Sequence, residues 1–229
     1  MRNFVSKNRF IFVVIICFVL LSCVLYGVVE KSVSRFNGYT IVIDAGHGGR
    51  DGGSVGVNGT IEKRINLEYA KLLKDKLVDI GYKVVMTREN DDGLYSAFAK
   101  NKKQSDMNSR MRIIQNANPN LVVSIHMNSY VNSSAKGAMT YFRKGDGASE
   151  VCADLIQKSL ATFCGARFQN GKVGDYYMLN CSYYTAVLIE CGFISNPEEE
   201  ILLNSDEYKN KFVDAVCNGI LLYFGNNYI

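Results

Sequence analysis

Short apolar runs alternate along the chain with longer stretches in which apolar residues recur at helical spacing. Tyr39 to Asp44 (YTIVID) is a brief β-branched run ended by the glycine-rich AGHGGRDGG, a pattern that predicts a buried strand followed by a loop. Residues 62–80 set Ile65, Leu67, Leu72, Leu73, Leu77 and Ile80 on a helical period, with Thr60 as the expected N-cap and Gly81 as the stop. Tyr82 to Thr87 (YKVVMT) reads as a second strand, residues 90–104 as polar and irregular, Asp106 to Ala117 as a helix, and Leu121 to His126 (LVVSIH) as a third buried strand. A further strand is expected at Ala138 to Phe142, a helix at Ala148 to Phe163, a buried strand at Thr185 to Glu190 (TAVLIE) and a closing helix at Asp206 to Phe224. Strands that are apolar on both faces and alternate with helices imply an α/β fold built on a largely parallel sheet.

The N-terminus follows a different pattern. Phe10 to Val29 is an uncharged apolar run, about the ~20 residues that cross a hydrocarbon core as one helix. Arg2, Lys7 and Arg9 precede it, so the positive-inside rule puts residues 1–9 in the cytoplasm and everything after a 30–38 linker outside. The expectation is a transmembrane signal anchor at 10–29 ahead of a catalytic domain at 39–229. A cleaved signal peptide and a lipoprotein signal using Cys23 are the alternatives, and the apolar residues beyond Cys23 disfavour both.

Composition adds limits. Hydrophobic residues make up 48% of the chain, Gly is frequent and Pro rare, so the part after the anchor can bury the core of one domain. Residues 1–35 carry Arg2, Lys7, Arg9, Lys31 and Arg35 against Glu30, which accounts for the whole formal charge of +4. The remainder is neutral and offers no electrostatic footprint for nucleic acid. Of the seven cysteines, Cys17 and Cys23 fall in the anchor. Cys152, Cys164, Cys181, Cys191 and Cys217 are widely spaced with no CxxC pair, and read as small core residues.

Candidate chemistry gathers at strand ends. In parallel α/β sheets the ligand site lies beyond the carboxyl ends of the strands. YTIVID runs into His47, LVVSIH ends on His126 and TAVLIE ends on Glu190, and the chain has only two histidines. A single histidine there would be a satisfied imidazole as readily as a ligand; two at one edge, each with a glutamate near, favour a metal. Two imidazoles and a carboxylate form the ligand set of hydrolytic zinc, with the fourth position left open. Glu62, at the start of the 62–80 helix behind the SVGVNGT segment, is the candidate third ligand, although alone it reads as a charge favouring a helix N-terminus. Glu190 ends an apolar run, so its carboxylate needs a cation or a proton. Beside activated water it would serve as general base; a structural ion pair is the alternative. The residues thus point to an open-site metallohydrolase without naming the substrate.

The same residues resemble the zinc-dependent N-acetylmuramoyl-L-alanine amidases of the type 3 family. IVIDAGHGG resembles its first metal motif with His47, Glu62 followed by Asn66 its second ligand, LVVSIHMNS its third motif with His126 and Asn128, and VLIECGFISNPEE the motif with the catalytic Glu190. Thr87, Arg88 and Arg110 are lesser matches, and the likeness runs from residue 40 to about 222. Thr185 stands where the family often has Pro, and Asn180 where it often has a basic residue. The resemblance implies a mostly parallel twisted sheet flanked by helices, one Zn²⁺, peptidoglycan as substrate, and Asn128, Arg88 and Arg110 as substrate contacts. A lone catalytic domain behind an anchor is similar to the CwlD branch of endospore formers, which strips stem peptides in spore cortex ahead of muramic-δ-lactam formation. Two other readings stand beside it: a non-catalytic wall-binding module of the same fold, and a zinc peptidase acting on free peptides. Because Glu62 is reached through the glycine-rich Gly48 to Gly59 segment, an extracytoplasmic accessory protein that promotes zinc binding is a further expectation.

Overall fold

The computed structural model describes residues 38–180 and 183–225. The expected cytoplasmic tail, anchor and most of the linker, with Cys17, Cys23 and Cys181, lie outside the described residues. Among the described residues no helix is long and apolar enough to cross a membrane.

Six strands form one sheet: β1 (Thr40–Ala45), β2 (Lys83–Met86), β3 (Leu121–Asn128), β4 (Met139–Phe142), β5 (Lys172–Val173) and β6 (Ala186–Phe193). Their spatial order is β2-β1-β3-β6-β4-β5. The first four in that order run parallel, and β4 pairs antiparallel with β6. The helices are α1 (Glu62–Ile80), α2 (Lys102–Ala117), α3 (Gly147–Cys164), α4 (Tyr177–Asn180), α5 (Pro197–Asn204) and α6 (Asp206–Tyr223).

Alternation along the central strands divides the core in two. Ile41 and Ile43, Val123 and Ile125, and Val187 and Ile189 join Leu73 and Leu77 of α1, Ile156 of α3 and Phe212 and Val216 of α6. Val42, Val122, Ala186 and Leu188 face the other way, against Met111 and Ile114 of α2 and Met178 and Leu179 of α4. Helices therefore cover both faces, as four strands apolar on both sides require. Cys152, Cys191 and Cys217 are buried and Cys164 half-buried, all as free thiols, in keeping with their reading as small core residues.

The expected elements stand, with some edges moved. Helix α2 begins at Lys102 rather than Asp106, because Asn101 caps it by accepting from Gln104 N. Thr60 does not cap α1. The N-cap is Ile61, which makes no side-chain cap bond. Instead the first N–H groups of α1 donate to the backbone of the preceding loop, Glu62 N to Ser54 O and Lys63 N to Gly52 O. Asn196 caps α5, accepting from Glu198 N and Glu199 N. Neither α5, α4 nor β5 was expected from the sequence.

Topology decides where a ligand can sit. From β1 the chain goes to β2 on one side and then to β3 on the other, so the C-terminal ends of β1 and β3 flank a switch point of the sheet, where α/β folds open a crevice.

Candidate active site

His47, Glu62 and His126 meet at that crevice. Strand β1 ends at Ala45, and the turn that follows places His47 at φ 61°, a left-handed conformation uncommon outside glycine. Gly46 allows the close approach of the two histidines, since a Cβ there would lie 2.3 Å from His126 Cε1. His126 sits on β3 in register with Glu190 of β6, so the two side chains leave the sheet on the same face. Glu62 arrives from the other side of the sheet at the start of α1, over the top of β1.

Glu62 Oε1 lies 3.1 Å from His47 Nε2 and 3.1 Å from His126 Nδ1. Candidate ligand atoms of all three residues fall within 4.8 Å of one another. A tetrahedral zinc with bonds of about 2.0–2.1 Å spaces its ligand atoms about 3.3 Å apart, so the donor set suits such an ion and Glu62 stands near that spacing from both histidines. Glu62 is only 3% exposed and is fixed by Ser54 N on Oε2, with Asn66 Nδ2 and Met127 N on Oε1. Behind His47, Asp51 Oδ2 stands 3.0 Å from Nδ1, the carboxylate–imidazole arrangement that orients histidine ligands. Burial opposes charge on His47, yet the carboxylates of Glu62 and Asp51 outweigh it and raise its pKa. Burial likewise opposes the Glu62 carboxylate, but bonds from His126 and His47 hold it well below the usual range. The cluster is organised around negative charge that a cation would satisfy.

Glu190 behaves differently. Burial pushes its carboxyl up to about 7, and Oε2 is buried with no hydrogen-bond partner. Its charge is felt by Tyr141 and Tyr176. A carboxyl poised near neutrality beside a candidate metal site is what a general base requires. The cleft in front of the histidines has a volume of about 650 Å³ and is also lined by Tyr95, Tyr176, Tyr177 and Met178, within the size range of small-ligand sites.

Arg88 and Arg110 are expected to touch substrate; Arg110 lines the cleft, and the hydrogen bonds of both arginines run inward. Both are buried. Arg88 donates to the carbonyls of Ala45, Gly46, Lys63 and Asn90. Arg110 pairs with Asp44 and Asp106 and donates to the carbonyls of Ala45 and His47. With nearly all of their five N–H groups committed, they brace the turn that carries His47. Burial would raise Asp44, but the charge of Arg110 and bonds from Ser124 and Thr87 bring it down to about 2. Asn128, at the end of β3, turns its side chain to Ser129 N, while its carbonyl accepts from Ile194 N.

Asp44 and Asp51 were missed in the sequence. Asp44 carried the signal that singled out Glu190, an acid ending an apolar run. Asp51 is four residues after His47 in a loop, where only the turn geometry reveals the contact.

Comparison with known proteins gives the family. A family described as N-acetylmuramoyl-L-alanine amidase matches residues 41–221. The germination-specific N-acetylmuramoyl-L-alanine amidase of Bacillus subtilis is 33% identical over 192 residues, 82% of this chain and 81% of that protein. YqiI of the same organism is 37% identical over 197 residues, covering 85% of this chain and 89% of its own length. Among solved structures, the CwlD amidase from Clostridioides difficile, in complex with the GerS lipoprotein, matches with a TM-score of 0.76 and 33% identity, over 83% of this chain and 100% of that one.

Proposed function

Because the chain belongs to the N-acetylmuramoyl-L-alanine amidase family, we propose that its cleft hydrolyses the amide between N-acetylmuramic acid and L-alanine with one Zn²⁺ held by His47, Glu62 and His126. One juxtaposition supports the reading: three ligand-capable side chains within 4.8 Å of one another, and Glu190, paired in register with His126, carrying a buried oxygen that has no partner. When bound, zinc supplies Lewis acidity that polarises the amide carbonyl and acidifies water.

The protein's own residues do the rest. Glu62 and the two imidazoles form a closed triangle of donors and leave one side open to the cleft. Asp51 stands 3.0 Å from His47 Nδ1, and the Arg110 bond to the His47 carbonyl holds the turn that carries the ring. Glu190, ionised, accepts a proton from the attacking water and returns it to the alanine nitrogen as the C–N bond breaks. The products are a muramic acid with a free lactyl carboxylate and a stem peptide with a free L-alanine amine. A wall-binding module would need none of these four side chains.

We place the substrate in spore-cortex peptidoglycan, supported by the likeness to the germination-specific amidase and to the CwlD amidase. Removal of the stem peptide there leaves the carboxylate that muramic-δ-lactam formation consumes. An extracytoplasmic accessory protein belongs to this reading too, since the CwlD amidase was solved with a lipoprotein. Digestion of purified cortex and vegetative sacculi, with mass analysis of the new ends, tests the reading. Free L-alanine amines and unsubstituted muramic acid in cortex, in zinc-loaded protein only, are expected. Cleavage within the peptide alone would make the protein a peptidase.

The wall lies outside the cytoplasmic membrane, so we also propose that residues 10–29 tether the domain there. Full-length chain should stay with membranes, and release of a fragment beginning soon after Val29 would refute the tether.

A further inference from the structure

Glu62 differs from the two histidines in how it reaches the site. They are set by the ends of β1 and β3, whereas Glu62 depends on a loop that must hold the start of α1 in place. That loop closes on itself through Gly56 N to Thr60 O, Gly59 N to Gly56 O and a bridge between Val55 and Ile61. Its other attachments lie far away in sequence: Val57 N donates to Ile194 O just after β6, and the side-chain attachments are on α5. Glu200 Oε2 accepts from Asn58 N at 2.7 Å and Asn58 Nδ2 at 3.1 Å, and Glu200 Oε1 accepts from Thr60 N at 3.0 Å. One turn on, Asn204 Nδ2 donates to Thr60 Oγ1 and to the Glu200 carbonyl.

Glu200 is 1% exposed, and no Lys or Arg is among these contacts. A buried carboxylate is costly unless it is well hydrogen-bonded, and here the loop's own N–H groups meet that need. They keep the carboxyl ionised against its burial. The fit is tight, since a Cβ on Gly56 would lie 2.2 Å from Glu200 Oε1. Glu199, its neighbour, accepts from Phe193 N and Gly137 N, so α5 fastens the approach to β4 as well.

We propose that Glu200 is a positioning residue for the metal site: it clamps residues 56–60 so that Glu62 is already in place before a metal arrives. The proposal rests on the zinc reading above and extends it to a residue that touches neither metal nor substrate. Ordering a free loop costs backbone conformational entropy, and a site whose competent state is only partly populated binds its ligand more weakly in proportion. The clamp removes that loss.

The test is a metal titration of full-length protein, wild type against Glu200→Gln, with exposed Glu198→Gln as control. The carboxamide presents an NH₂ to one of the donors, so the clamp opens. We expect Zn²⁺ affinity, read by competition with a chelating dye, to fall about tenfold or more. With Co²⁺ in place of zinc, the saturated absorption spectrum should match wild type while its midpoint shifts, because the ligands are unchanged. At saturating zinc, kcat and KM should return to near wild type, which a general loss of structure would not allow. Gly56→Ala, which pushes on the same oxygen from the loop side, should shift the midpoint in the same direction. Wild-type metal affinity in both variants overturns the proposal. A wild-type protein that takes up no metal even at saturating Zn²⁺ or Co²⁺ overturns the zinc reading itself, and the clamp's purpose with it.

Discussion

His47→Ala and His126→Ala are each expected to bind no stoichiometric zinc and to lose amide hydrolysis altogether. Three protein ligands leave no redundancy, so removing one imidazole leaves two donors for an ion that needs four neighbours. The loss should exceed the 10–100-fold that outer-shell changes cause. Neither substitution should unfold the domain, because both rings face the cleft rather than the two apolar cores. His47→Ala also relieves none of the turn's φ of 61°, so far-UV circular dichroism is needed beside the metal measurement. Metal content after exhaustive dialysis decides, and full occupancy in either variant would sink the assignment.

Glu190→Gln should fail in another way, keeping the metal and losing the rate. The amide has the shape of the carboxyl but cannot take a proton from water, and general-base groups contribute at least ~10²-fold. Burial has raised the carboxyl to about 7, and only its ionised form is a base. Activity in the wild type should therefore rise with pH through an acid limb and fall away as Glu190 becomes protonated. A bound cation favours the carboxylate, which puts that limb below 7 in the loaded enzyme. The residual rate of the Gln variant should lack it. Near-normal turnover, or an unchanged acid limb, would remove Glu190 from the mechanism.

Much of this site could be read from the chain because two of its four residues, His126 and Glu190, end apolar runs and a third, His47, follows one within three residues. An apolar run of four to eight residues marks a parallel strand, and whatever polar group closes it must lie at the sheet's edge. Helix α1 was legible to the residue through its period and Gly81. The remainder depended on contacts with no local pattern. Arg88 and Arg110 follow a strand and occupy a helix much as substrate-binding groups would, and only the folded turn shows their guanidinium groups directed inward at carbonyls. The start of α2 lay in a polar turn that gives periodicity nothing to detect. Helix α5 is eight residues long and begins PEEE, so it reads as a solvated acidic stretch, although Glu200 is buried against a loop 142 positions away. Thr60 has the chemistry of a cap, but its N–H and hydroxyl are taken by Glu200 and Asn204.

The place of β6 has a bearing on how the enzyme comes into being. This strand is the last to be synthesised, yet it lies between β3 and β4 and joins them. Until it emerges, β3 presents an unpaired edge and the proposed proton acceptor at position 190 does not exist; Glu200, which fastens the loop before Glu62, follows only on α5. A nascent chain can therefore carry both histidines and still be inert towards the wall. Activity arrives with roughly the last fifth of the sequence, in a single late insertion into the middle of the sheet. The same order makes the chain intolerant of C-terminal truncation: a stop before residue 186 removes β6 and leaves an open β3 edge prone to pairing with other chains.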